Sequence, residues 1–95
     1  MLYTFSQANY DINELARHLE HITEKDAIVL WQDGVLLALK FPMLLSNTNT
    51  VCFILETDLK ARNLQKAIRL NHKIKIISLS QLVQLTEQYY PQLAL

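Results

Sequence analysis

Glycine, proline and cysteine are scarce in this sequence, which has one, two and one of them among 95 residues. The near absence of glycine excludes a glycine-rich phosphate loop, and the scarcity of both helix breakers argues against disorder or a flexible linker. A single cysteine cannot form an internal disulfide or a cysteine-rich metal site, which is usual in a reducing compartment. The sequence therefore predicts one folded domain over residues 1–95, with no metal or cofactor site.

Long hydrophobic runs are missing as well, since none approaches the roughly 20 residues that a membrane helix needs. The start of the chain, Met1 to Phe5, lacks the basic and apolar regions of a signal peptide. We therefore expect a cytoplasmic protein with no membrane contact. Hydrophobic residues nevertheless make up 51% of the chain, more than one small core holds, so we also expect contacts with other subunits.

Four segments have the composition of β-strands. Residues 27–31 and 51–55 are continuous apolar runs, which are typical of parallel strands covered on both faces. Residues 2–5 predict a first strand, and the alternation within 73–77 predicts a less buried edge strand. Residues 92–95, which are apolar except for Gln92, are expected to form a tail.

Helical patterns lie between and after these strands, from Asp11 to about Ile22, over 35–40, over 58–62 and after Ser78. This alternation predicts a three-layer α/β/α fold around a mostly parallel sheet of four or five strands. The buried face of the first helix is predicted to comprise Ile12, Leu15, Ala16, Leu19 and Ile22. The inner face of the last helix is predicted to comprise Leu79, Leu82, Val83, Thr86 and Tyr90.

Polar residues predict where the helices begin. Asp11 and Glu14 have the spacing of a capping box at the first helix. Thr57 is expected to cap the third helix, and Ser78 or Ser80 the last one.

Cys52 is the obvious candidate for a nucleophile or a sulfur carrier. A reactive cysteine needs partial exposure and a cation or helix N-terminus that stabilises the thiolate. Cys52 instead lies between apolar residues of a covered strand, where cysteine usually packs as a small hydrophobic side chain. We therefore expect a core residue and no covalent chemistry by this chain, with a persulfide transferase that uses Cys52 as the alternative.

His18 and His21 follow Glu14 at helical spacing, and two histidines with a carboxylate can bind zinc. The spacing is not that of an HExxH motif, and no further ligand is evident. We predict a polar, exposed helix surface.

The tripeptide Gln32-Asp33-Gly34 follows a buried strand directly, at the carboxyl edge of the sheet where ligands and partners bind in α/β folds. Its residue types also suit a plain turn, with Gly34 supplying permissive backbone angles and Asp33 capping the next helix. Both interpretations stay open, and we take Gln32, Asp33 and Gly34 as candidate partner-binding residues.

Acidic residues are absent between Leu59 and Thr86, and the segment Lys60–Lys75 is basic although the whole chain is neutral. Its basic residues are Lys60, Arg62, Lys66, Arg69, Lys73 and Lys75. Such a segment can bind RNA phosphates as a small RNA-binding module, but it has no clustered aromatic residues for base stacking. A solvated surface is the expected alternative.

Four fragments in order resemble the TusB/DsrH family: the start Met-Leu-Tyr-Thr, Trp-Gln-Asp-Gly-Val at 31–35, Asp-Leu-Lys-Ala-Arg-Asn-Leu at 58–64, and Val-Gln-Leu-Thr at 83–86. The resemblance covers essentially the whole chain. Asn63 stands where the family is expected to have glycine, and asparagine tolerates the same left-handed geometry. The third fragment adds Arg62 to the candidate partner-binding residues.

This resemblance implies a subunit of a sulfur-relay complex. It implies TusC-like and TusD-like partners in a heterohexamer built as a dimer of heterotrimers. The complex would pass persulfide sulfur toward 2-thiolation of the tRNA wobble uridine, with the carrier cysteine on the TusD-like subunit. The DsrH branch has a cysteine near the first helix, whereas residues 17–23 contain none here, which favours the TusB branch.

Overall fold

The computed structural model of the chain describes residues 1–68 and 73–95. Five strands form a single parallel sheet in the order β4-β3-β2-β1-β5. Their bounds are β1 Leu2–Phe5, β2 Ala27–Leu30, β3 Cys52–Leu55, β4 Ile74–Ile77 and β5 Gln92–Ala94. Together with the helices on its two faces, this sheet confirms the predicted α/β fold.

Each strand is followed by helical structure until β5. The helices are α1 Ile12–Glu20, a 3₁₀ helix Gln32–Leu36, α2 Leu37–Lys40, α3 Pro42–Ser46, α4 Glu56–Ala61 and α5 Leu79–Gln88. None of the helices in residues 1–68 and 73–95 is long and apolar enough to cross a membrane.

Two apolar clusters lie on opposite faces of the sheet because alternate strand residues point to opposite sides. The first cluster joins Phe5, Ile28 and Cys52 to side chains of α1 through α4. The second joins Leu2 and Val29 to side chains of α5. This division follows from the strand order. The right-handed crossovers from β1 to β4 all run in one direction along the sheet and place their helices on one face. The connection from β4 to β5 runs in the opposite direction and places α5 on the other face.

Several local predictions are confirmed. β4 is an edge strand, and the inner strand β2 is buried along its whole length. Ser78 caps α5 in a reciprocal capping box with Gln81. Asn63 has a positive φ of 56°, the left-handed geometry expected there.

The prediction that residues 92–95 form a tail is wrong. Gln92–Ala94 form the fifth strand, in parallel register with β1 so that Gln92 lies opposite Leu2. The Tyr10 hydroxyl and the Thr4 carbonyl hold the last residue, Leu95, through its main chain. A three-residue edge strand with exposed side chains has no periodicity by which a sequence reveals it.

The predicted caps and the face of the first helix need correction. Asp11 precedes α1, but its side chain makes no capping hydrogen bond. Thr57 does not cap α4, which begins one residue earlier, at Glu56. Ile12, predicted to be buried, is 51% exposed because it lies in the first turn of α1, beyond the core that Leu15 and Leu19 enter.

The predicted inner face of α5 is rotated from the one observed. Leu85 is buried, and Leu82 and Tyr89 pack beside it. Leu79 and Val83, predicted to lie inside, are exposed. Both sides of this helix are apolar, so hydrophobic periodicity alone cannot identify the one that meets the sheet.

Candidate functional site

The candidate site lies at the carboxyl edge of the sheet, where the turn after β2 meets α4 after β3. The Trp31 N–H donates to the Phe5 carbonyl at 3.2 Å, which ties the turn to the end of β1. The Gly34 N–H then donates to the Trp31 carbonyl at 2.9 Å and closes the first turn of the 3₁₀ helix. The backbone of the turn after β2 is thus held against the end of β1.

Gly34 is needed for space rather than for backbone angles. Its φ is not positive, which corrects the prediction that it supplies a permissive conformation. A Cβ atom at this position would lie 1.9 Å from the Phe5 carbonyl oxygen. Only glycine therefore allows the turn to approach β1 so closely.

Gln32 has the unusual backbone angle of this turn, a φ of 53°. A left-handed glutamine costs of the order of 1 kcal/mol and persists where its surroundings hold it. Here its N–H donates a charge-assisted hydrogen bond of 2.7 Å to the Oδ2 atom of Asp58, which lies in the first turn of α4. The Gln32 side chain is left exposed to solvent.

Arg62 joins the two segments through its side chain. Its Nη2 and Nε atoms donate to the Asp33 Oδ1 atom at 2.7 and 3.1 Å, and its Nη1 atom donates to the Asp58 carbonyl at 3.1 Å. Asp33 therefore pairs with Arg62 and does not cap the 3₁₀ helix, which corrects the expected capping role.

All four residues predicted as a partner-binding set thus meet at one place, and Asp58 is the member that the sequence analysis missed. Its signal was present, because Asp58 lies four residues before Arg62, the C-cap of α4, and their side chains approach to 3.8 Å. The Asp33 side chain is 65% exposed and that of Arg62 only 28%. The result is an ordered surface of two carboxylates, one guanidinium and one amide, a composition that suits recognition of another molecule.

Cys52 lies elsewhere, at the first position of β3 within the first apolar cluster. It is fully buried, so the prediction of a core residue is confirmed. Desolvation by burial raises the pKa of its thiol to about 12. Asp58 follows the opposite end of the same strand, so the thiol takes no part in the candidate site.

The α1 surface that carries His18 and His21 was predicted to be exposed, and it is so only in part. His18 is half-buried, with its ring 6.4 Å from those of Phe5 and Tyr10, while His21 is exposed. The His18 Nε2 atom lies 3.8 Å from a carboxylate oxygen of Glu14. Among residues 1–68 and 73–95, no three metal-binding side chains lie close enough to hold an ion.

The basic segment is divided between the two edges of the sheet. Lys60 pairs with Glu56 on α4 at 3.4 Å, beside the candidate site. Lys73 precedes β4, at the amino edge, and donates to two main-chain carbonyls, that of Ser46 at the end of α3 and that of Thr48 in the loop before β3. Arg69 lies outside the described residues. Lys60 and Lys73 therefore lie at opposite edges of the sheet and do not form one cationic surface together.

Comparison with known proteins gives full-length matches. The family described as DsrH like protein matches residues 7–92. An uncharacterized protein of Haemophilus influenzae is 53% identical over 95 residues, which is the whole of both chains. Proteins called Protein TusB in Yersinia pestis and Yersinia pseudotuberculosis are 40% identical over 98 aligned positions, covering 99% of each chain.

Proposed function

The chain belongs to the family of DsrH-like proteins, and from this premise we propose that it is a non-catalytic subunit of a sulfur-relay complex. The complex passes persulfide sulfur toward 2-thiolation of the tRNA wobble uridine. The subunit itself supplies a binding surface, and the sulfur travels on a cysteine of another chain.

The burial of Cys52 supports the non-catalytic role. It is the only sulfur nucleophile in the sequence, and its side chain has no solvent access. Burial raises the pKa of this thiol to about 12, so the neutral thiol is the dominant form at pH 7. A persulfide carrier needs a thiolate that its donor can reach, so the alternative of a transferase that uses Cys52 has little support.

The partners under this proposal are TusC-like and TusD-like paralogues in a heterohexamer that is a dimer of heterotrimers. The surface of Gln32, Asp33, Gly34 and Arg62 is our proposed contact with one of them. Its support is geometric: the turn is fixed by β1 and α4 before any partner binds, so little conformational entropy is lost on association.

tRNA reaches this subunit only indirectly under the proposal. The chain is neutral, and the basic side chains of Lys60, Arg62 and Lys73 are engaged within the protein. Phosphate binding draws on several unengaged cations, so the engagement of these three gives the alternative of an RNA-binding module less support. We place the complex in the cytoplasm, where tRNA is modified.

The test is deletion of the gene in its native host, followed by complementation and mass spectrometry of tRNA nucleosides. Deletion should abolish 2-thiouridine at the wobble position, and both the wild-type chain and Cys52→Ala should restore it. Asp33→Arg should weaken co-purification with the paralogues, because it places two cations side by side. Glu20→Arg is the matched control, since Glu20 is an exposed acid at the end of α1 by the opposite edge of the sheet.

Two outcomes would overturn parts of this proposal. If Cys52→Ala folds normally and 2-thiouridine is lost, the chain is a sulfur carrier. If deletion leaves 2-thiouridine unchanged, the relay role itself is wrong.

A further inference from the structure

A small cavity lies between α5 and the sheet, on the face that carries the second apolar cluster. Its volume is about 110 Å³. Apolar side chains of β1, β2 and α5 form part of its wall. The other residues around it carry polar side-chain atoms: Thr4, Trp31, Thr86 and Gln92. The proposed function gives this cavity no role.

The Thr4 hydroxyl is a buried polar group that lacks a partner in the protein. Thr4 is only 8% exposed, and among residues 1–68 and 73–95 its hydroxyl makes no hydrogen bond. Thr48 and Thr50 are buried to a similar degree, but the hydroxyl of each donates to a main-chain carbonyl. A buried hydroxyl without a partner is destabilising, so Thr4 calls for one inside the cavity that it lines.

The indole of Trp31 carries a second such group. Its Nε1–H is buried and has no acceptor in the described part of the chain. Thr4 lies opposite Val29 of β2, and Trp31 follows Val29 by two residues, so its side chain is on the same face of the sheet. Most buried polar groups in native proteins are paired, and ordered water serves those that the protein itself does not.

We propose that this cavity is a binding site for ordered water, which joins the sheet to α5. A water molecule there accepts a hydrogen bond from the Trp31 Nε1–H group and exchanges hydrogen bonds with the hydroxyls of Thr4 and Thr86. The inference goes beyond the proposed function and does not depend on it, because the site lies wholly within this chain.

The size of the cavity suits water. A water molecule takes up roughly 30 Å³ in the liquid, so a volume of about 110 Å³ accommodates about three. Apolar cavities of similar size stay dry, whereas a buried water needs about two to four polar partners. The polar atoms of Thr4, Trp31 and Thr86 meet this requirement.

The Thr86 hydroxyl has the bonding capacity that a bridge from the sheet to α5 requires. It donates to the Val83 carbonyl at 2.6 Å, which uses its single proton. Its lone pairs remain to accept a hydrogen bond from water. An apolar occupant would leave the Thr4 hydroxyl and the Trp31 Nε1–H group unpaired, which argues against it.

Water at this site also bears on the candidate functional site. Trp31 immediately precedes Gln32, and its main-chain N–H already donates to the Phe5 carbonyl. A hydrogen bond from water to the indole therefore holds both the main chain and the side chain of the residue from which the turn starts.

A high-resolution crystal structure of the full-length wild-type chain tests the inference directly. It should show a water oxygen within hydrogen-bond distance of both Thr4 Oγ1 and Trp31 Nε1. Thr48 is the matched control, because its hydroxyl donates to the Leu45 and Thr50 carbonyls and needs no water.

The variant Thr4→Val tests the same site through stability. If water satisfies the hydroxyl, its removal should raise the equilibrium constant of unfolding by about two- to tenfold, as loss of a satisfied hydrogen bond does. If the hydroxyl is unpaired, its removal should lower this constant instead. Thr48→Val is the control for a satisfied hydroxyl and should raise the constant.

Three results would overturn the inference. The first is a cavity in which no water lies within hydrogen-bond distance of Thr4 Oγ1. The second is a Thr4→Val variant with a lower unfolding constant than the wild type. The third is density for an organic molecule, or for a side chain of another molecule, in place of water. None of these results bears on the relay role, which rests on tRNA thiolation in the native host.

Discussion

Arg62 donates two hydrogen bonds, of 2.7 and 3.1 Å, to a single oxygen of Asp33, which lies 29 residues earlier in the chain. The second carboxylate oxygen of Asp33 receives neither of these bonds, and its side chain is largely exposed. The pair therefore both joins two loops and leaves an acceptor for another molecule.

We expect Arg62→Ala to lower the free energy of unfolding by about 1 kcal/mol, because solvent screens the ion pair but the bond to the Asp58 carbonyl is lost as well. A double-mutant cycle with Asp33→Ala, measured by urea denaturation, should give a coupling of about 0.5 kcal/mol. Lys60→Ala, which removes an exposed pair on the same helix, should cost less than Arg62→Ala. Zero coupling in the cycle would mean that the two loops are held together without this pair.

Gln32→Gly should raise the free energy of unfolding by about 0.5 to 1 kcal/mol, because glycine adopts a φ of 53° without strain. Gln32→Ala keeps the strain and should give no gain. Asn63→Gly should give a smaller gain than Gln32→Gly, since asparagine already tolerates left-handed geometry. Thermal and urea denaturation measure all three, and a loss of stability in Gln32→Gly would show that its side chain stabilises the turn.

Gly34→Ala should destabilise the fold by about 3 kcal/mol, because the added methyl group would overlap the Phe5 carbonyl unless the turn moves away from β1. Asp33→Ala places an alanine at the neighbouring position of the same turn and should cost less than about 1 kcal/mol. Equal stabilities for the two variants would show that the turn moves without cost.

The buried thiol of Cys52 should make the free energy of unfolding depend on pH in a specific way. Its pKa is raised to about 12 in the folded protein and is about 8.5 in an unfolded chain, so unfolding releases a proton between these values. The contribution of the Cys52 thiol to the free energy of unfolding is fully present below about pH 8.5. It falls by about 1 kcal/mol per pH unit as the pH rises toward 12.

The measurement is the difference in unfolding free energy between the wild-type chain and Cys52→Ala from pH 7 to 11. Burial also raises the pKa of Tyr10, but both proteins share this contribution and it cancels in the difference. A difference that stays flat across this range would mean that water reaches the thiol. Iodoacetamide should accordingly label the unfolded wild-type chain at neutral pH, and the folded chain hardly at all.

The strands β1 to β4 could be predicted from the sequence, because their burial requires apolar runs or an alternation of apolar and polar residues. It also identified Gln32 and Asp33 as candidates, because residues after the carboxyl ends of parallel strands lie at the edge where partners bind, and the family resemblance added Arg62. That Asp33 contacts Arg62 depends on β2 and β3 being neighbours, and strand order is a tertiary property. Gly34 was identified for the wrong reason. A Cβ atom at this position would overlap the Phe5 carbonyl, and this close approach exists only once β1 and β2 pair.

The parallel pairing of β5 with β1 has a consequence for synthesis of the protein. β1 is translated before the other strands of the sheet, yet the strand that completes its second edge, Gln92–Ala94, is translated some ninety residues later. During translation the main-chain groups of Leu2 and Thr4 that face β5 remain without their final partners. The nascent chain thus presents an open sheet edge until β5 has been translated, a state in which chaperones or partner subunits have their opportunity to bind.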